Sequence, residues 1–177
     1  MKTTITASAS IPGDWWAGRI LTRYDSQYTW VALEFNDGAV VVLSVEEVSV
    51  GKRFDVFPLS VESSVPDFLS NHVFEWTELP MPLQVSRVRS LWREEWLEPV
   101  ADHGQFLGSG PHFVQNVARL GDAPAGVEAI AVEAGIEIQG SDGAHLVICS
   151  SDNTPFKINF VTGAREIEDI QQFHTVQ

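Results

Sequence analysis

The chain has 177 residues, 44% of them hydrophobic, with 10 Phe, 6 Trp and 1 Cys. That composition is globular rather than disordered, excludes an internal disulfide framework, and contains no apolar run near the roughly 20 residues of a helical membrane span. A net charge of −13, from 24 acids against 11 bases, repels nucleic acid and anionic membranes and favours a basic partner, although solubility alone also accounts for an acidic chain.

Residues 1–177 suit a single domain, which at this size buries roughly 70% of its unfolded surface without a metal or cross-link. Residues 1–14 read as a loose lead-in with a turn at Pro12 and Gly13. They lack the apolar block of a secretory signal, and with the lone cysteine this predicts a cytoplasmic protein. Trp15 and Trp16 then open the first strand. Neighbours on a strand face opposite sides, so one of them belongs to the core and the other to a rim or a binding face. Cover for a sheet edge explains that second ring without any ligand.

The stretch Trp30–Leu43 alternates, turns on Asp37-Gly38-Ala39, and continues apolar. Gly135–Ile148 repeats the design around Asp142-Gly143-Ala144. Asp-Gly between alternating runs is a strong hairpin signal, and the register depends on the turn. A two-residue turn would set Leu146 against Gln139 and mix polar with apolar side chains. A three-residue turn with glycine as a left-handed bulge sorts both copies. Val31, Leu33 and Phe35 then share a face with Val41 and Leu43, and Ile136 and Ile138 share one with Leu146 and Ile148. Glu137, Gln139 and His145 go together to the opposite side.

A strand precedes each hairpin (Gly18–Tyr24 and Gly126–Val132), and another follows it (Arg53–Phe57 and Phe156–Phe160). The expected architecture is therefore mainly β, a β-rich α+β fold of two similar antiparallel meanders sharing one core. A duplication of residues 15–60 and 123–163 across a connector 61–122 fits the pattern, and so does the ordinary reuse of such hairpins in antiparallel proteins.

Glu46, Glu47 and Glu62 flank the last strand of the first meander and read as solvated turn and edge charges. Ser60–Asn71 is a loop or one short helical turn around Pro66–Leu69, and Val73–Thr77 is a short strand. Pro80 and Pro82 mark a connector. Leu83–Leu91 reads as a strand, followed by a turn or helical segment to Pro99. Arg87, Arg89 and Arg93 are expected to pair with Glu94, Glu95 or Glu98. Ala101–Pro111, with Gly104, Gly108 and Gly110, is a surface loop, and Phe113–Leu120 a short helix or strand. Ile167, Ile170 and Phe173 recur at helical spacing and predict a short C-terminal helix.

No catalytic constellation emerges. His72, His103, His112, His145 and His174 have no metal-ligand spacing, so no metal site and no cofactor are expected. Cys149 shares a strand face with His145 four residues away, too far for a hydrogen bond, and reads as passive. The candidate binding residues are Trp15, Trp16, His103 and His112, the histidines because they flank the glycine-rich loop. The functional expectation is a non-enzymatic protein-interaction domain, such as an acidic inhibitor or immunity-type partner of a basic protein. A small-ligand binding module is the alternative.

Overall fold

A computed structural model describes residues 3–50, 54–97, 106–109, 128–151 and 154–164. In chain order these form β1 (Thr3–Ile5), the one-turn helix α1 (Gly13–Trp16), β2 (Ile20–Ser26), β3 (Trp30–Phe35), β4 (Val40–Val45), β5 (Val48–Val50), β6 (Phe54–Val56) and β7 (Leu59–Glu62). A 3-10 turn (Asp67–Leu69) follows, then β8 (Thr77–Leu97), β9 (Phe106–Ser109), β10 (Glu128–Gly140), β11 (His145–Ser150) and β12 (Ile158–Ala164). The fold is mainly β. One 10-stranded sheet runs in the order β12-β11-β10-β8-β2-β3-β4-β7, with β1 also beside β10 and β9 beside β8. The pairing is antiparallel except for β1, which runs parallel to β10. β5 and β6 form a separate two-stranded ribbon. Among the described residues, no helix is long and apolar enough to cross a membrane.

Both hairpins adopt the three-residue turn. Leu33 pairs with Val41 and Val31 with Leu43; Ile138 pairs with Leu146 and Ile136 with Ile148. Phe35 N donates to Ala39 O at 2.9 Å and Gly140 N to Ala144 O at 2.8 Å, closing equivalent loops. Gly38 and Gly143 take φ of 81° and 83°, the left-handed conformation that a side chain strains. The aspartate before each glycine accepts from the amide two residues on, Asp37 from Ala39 and Asp142 from Ala144.

The inward faces of the two hairpins meet. Leu33, Phe35 and Leu43 lie in one buried cluster with Ile136, Ile138, Leu146 and Ile148. One continuous path of strands can bury both hairpins in one cluster only if the sheet folds over on itself. β8 makes that turn. Residues near its start pair with β2, whereas Val85–Leu97 pair with β10. The edge strand β12 also touches the β2–β3 hairpin directly, through Ile158 N donating to Tyr28 O at 2.9 Å and the rings of Tyr24 and Phe160, 4.5 Å apart.

Two single-residue bulges reset the alternation. Arg87 faces Gln139 and Val85 faces Gly140, leaving Ser86 extra on β8; Trp92 faces Glu133 and Leu91 faces Gly135, leaving Ala134 extra on β10. Hence Leu83 and Val85 enter the main cluster, whereas Leu91 and Leu97 enter a second cluster on the opposite face with Ile130, Val132, Val147 and Cys149.

Several expectations are corrected. Trp15 and Trp16 stand on α1, not on a strand, because the chain from Pro12 closes a helical turn. The lead-in contains β1, whose parallel pairing with β10 has no local signature. The second unit is not a four-strand meander, since β10 runs unbroken through both of its first expected strands. Phe54–Val56 pairs with β5, and β7 takes the place beside β4. Val73–Trp76 is irregular, and the strand begins at Thr77. The expected turn or helix after Leu91 is strand through Leu97, because pairing with β10 overrides local helix preference. The prolines do interrupt pairing: the β2 register jumps from Leu83 to Glu78 across Pro80 and Pro82. Phe106–Ser109, expected in a loop, is β9. The Phe113–Leu120 segment and the C-terminal helix lie outside the described residues.

A methyl group on Gly38 or Gly143 meets nothing within 4 Å, so Gly38→Ala or Gly143→Ala should lower stability by conformational strain alone, about 1 kcal/mol. At Gly135 a Cβ would lie 2.7 Å from Cys149 Cβ and 2.8 Å from Ile148 O. Gly135→Ala should therefore cost more, about 2–3 kcal/mol of overpacking. Urea unfolding of the three variants tests that order.

Candidate functional site

The helical turn of α1 begins at Pro12, whose carbonyl accepts from Trp15 N at 3.1 Å, and ends as Arg19 N donates to Trp16 O at 3.2 Å. Gly18, at φ 77°, lets the chain leave for β2. This turn brings the two tryptophans together edge to face, 5.4 Å between centroids, and sets both against Phe35. Arg19 fixes the arrangement. Its guanidinium lies 4.0 Å from the Trp15 ring centre, its Nε donates to Trp15 O at 2.7 Å, and it pairs with Asp37 in the first hairpin turn. Trp15 is half-buried beneath its own arginine; Trp16 is 2% exposed.

Trp16 also lines a cavity of about 310 Å³. Its deeper wall is Trp16 and Ile136, both buried, and its mouth is formed by exposed Thr6, Ser10 and Gly13. Ser90 and Glu133 also line it, and Ser90 Oγ donates to Glu133 Oε1. His103 and His112 lie outside the described residues, so of the four candidate binding residues it is the tryptophans that the fold brings together, and Trp16 that reaches a cavity.

A second polar group lies on the opposite face of β10. Glu137 is 1% exposed, and its carboxylate is held from two sides. His145 Nδ1 donates to Oε1 at 2.6 Å, while Arg89 reaches Oε2 through Nε at 2.9 Å and Nη2 at 2.8 Å. The hairpin register had already placed Glu137 and His145 on one face. Arg89 comes from β8, so its pairing with Glu137 rather than with a neighbouring glutamate was not visible locally. Arg93 does pair nearby, with Glu95 at 2.8 Å, and also donates to Ser150 O at 3.0 Å.

A third assembly covers the outer face of β3 and β4. Leu69 is buried with Trp30, Ala32 and Val42, and Phe74 stacks on Trp76 at 4.9 Å. Asp25, 2% exposed, accepts from Glu75 N at 2.8 Å and Gln27 Nε2 at 2.7 Å and lies 3.7 Å from His72 Nε2. Arg23 sits over Trp76 at 5.1 Å and pairs with Glu34, which raises the guanidinium pKa above its ordinary value.

These groups position backbone and rings. Cys149 is fully buried on β11 opposite Gly135. Among the described residues, no group of three His, Cys, Asp or Glu side chains is placed to hold a metal ion. No family model, curated protein or solved structure matches the chain.

Removing Glu137 strands a partly buried arginine and a mostly buried histidine, so Glu137→Ala should cost about 3 kcal/mol. The combined change Arg89→Met, Glu137→Leu and His145→Phe should restore most of that loss, because apolar side chains need no partner. Thermal unfolding of both proteins measures the difference.

Proposed function

We propose that this chain is a non-enzymatic interaction domain that binds a basic protein, in the manner of an acidic inhibitor or immunity-type partner. The observation that carries the reading is where the charges sit. Arg19, Arg23, Arg89 and Arg93 are each tied to a carboxylate of the chain itself. Meanwhile Asp14, Glu47, Asp55, Glu78 and Glu128 are exposed. These exposed acids, in a chain of net charge −13, would speed encounter with a cationic surface.

The segment between β7 and β8 supplies a contact surface of suitable composition. Phe68 and Val73 are 62% and 82% exposed on a strap that Leu69 and Phe74 pin to the sheet. Exposed Asp67 and Glu75 stand beside them in sequence. Apolar anchors with a charged rim are the usual anatomy of a protein interface.

Affinity capture on the immobilised chain, from extract of the cells that make it, tests the reading. A protein of net positive charge should be retained at low ionic strength and released near 1 M salt, where the screening length falls to about 3 Å. Asp67→Lys with Glu75→Lys should slow its association about tenfold, whereas Phe68→Ala should chiefly speed dissociation. Recovery of no protein at low salt ends the proposal.

A further inference from the structure

The cavity beside Trp16 has a chemistry that the acidic-partner reading does not use, and the geometry points to a binding pocket for a small organic amine with an apolar body. The bulge at Ala134 makes the site. On a regular strand Glu133 and Ile136 would face opposite sides; with one residue inserted between Glu133 and Gly135, both line the same cavity. A carboxylate is thereby set next to the indole of Trp16 and the side chains of Val88 and Ile136.

The lining selects the ligand class. None of the described residues lining the cavity is Lys, Arg or His, so an anion there would meet the carboxylate of Glu133. A purely apolar ligand would cover Glu133 without replacing its water, an expensive burial. An ammonium group brings three donors. It can donate to Glu133, whose Oε1 already accepts from Ser90, and to the hydroxyls of Thr6 and Ser10 at the mouth. Its apolar body would lie on Trp16, which suits both apolar and cationic neighbours. The volume of about 310 Å³ is at the small end of ligand pockets, which run from roughly 300 to 1,000 Å³. The net charge of −13 enriches cations near the opening.

Phenethylamine, 2-phenylethanol and phenylacetate share one ring and differ in the charge of the head group. Calorimetric titration of the full chain at neutral pH should give saturable one-to-one binding of phenethylamine, about tenfold weaker binding of 2-phenylethanol, and none of phenylacetate, tenfold being the worth of about 1.4 kcal/mol. The Trp16 indole N–H resonance should shift as the amine saturates. Glu133→Gln, which keeps an acceptor for Ser90, should lower amine affinity about tenfold and leave 2-phenylethanol unchanged. The proposal is overturned if phenethylamine fails to saturate, if the three probes bind alike, or if Glu133→Gln leaves the amine unaffected. None of these outcomes depends on whether a basic protein partner is found.

Discussion

One strand holds the molecule together. β8 spans 21 residues, and its backbone supplies partners to β2 near its start and to β10 along most of its length. The hairpin of β3 and β4 and the hairpin of β10 and β11 are separated by about a hundred residues of chain, yet they bury their inner faces in one cluster. Such long-range pairing must be compensated by shared burial, because closing the intervening loop costs entropy that grows only slowly with its length. The cluster meets that cost at roughly 25 cal/mol per Å² of apolar surface withdrawn from water, and Leu33, Phe35, Ile138 and Leu146 are withdrawn almost completely. The hairpins are local devices; β8 turns them into one core.

The parts of this fold that were legible in the sequence are those decided within a few residues. Gly38 and Gly143 need the left-handed region, the aspartates before them cap the turn, and the alternation of Val31, Leu33 and Phe35 allows one register. Glu137 and His145 were readable as neighbours by the same logic. Features decided across the chain were not readable. Leu91–Leu97 carries residues that favour a helix, and pairing with β10 and β9 makes it a strand. β1 has an ordinary polar sequence and pairs because an edge of β10 lies open to it. Trp15 and Trp16 read as strand residues because they lead into the first alternating run, and a single helical turn is too short to show its own periodicity. Sequence order could place Trp16 near a binding surface, but not the serine and the glutamate that share its cavity, since Ser90 and Glu133 meet only when β8 pairs with β10.

The distribution of charge follows from the same topology. Folding an acidic chain into one sheet brings arginines from one strand over carboxylates of another, as with Arg23 and Glu34 or Arg89 and Glu137. Each pair is neutral, withdrawing one cation together with one anion, so the net charge of −13 is unchanged. Pairs of this kind add little net stability, because solvent screening at Arg23 and desolvation of Glu137 each offset most of the attraction. Their larger effect is on placement: four arginines are tied to carboxylates, while Asp14, Glu47 and Glu78 are exposed. The acidity of the chain is set by its composition, and the topology decides where its few bases lie.

The bulge at Ala134 connects the two faces. Upstream of it, Ile130 and Val132 point into the second cluster; downstream, Ile136 and Ile138 point into the first. Without the extra residue, the downstream half of β10 would turn over. Glu137 would enter the main core with no arginine or histidine to meet it, and Ile136 would leave the cavity wall. Gly135 is part of the same device, since Cys149 lies too close to its backbone for any side chain there. Bulges lie next to functional sites more often than chance, because they re-aim side chains without ending a strand. Here a single inserted alanine satisfies the buried Glu137 on one face and delivers Glu133 to a cavity on the other. A purely structural bulge would require only the first of these, and the second is what singles out the Trp16 cavity as the place to look for a ligand.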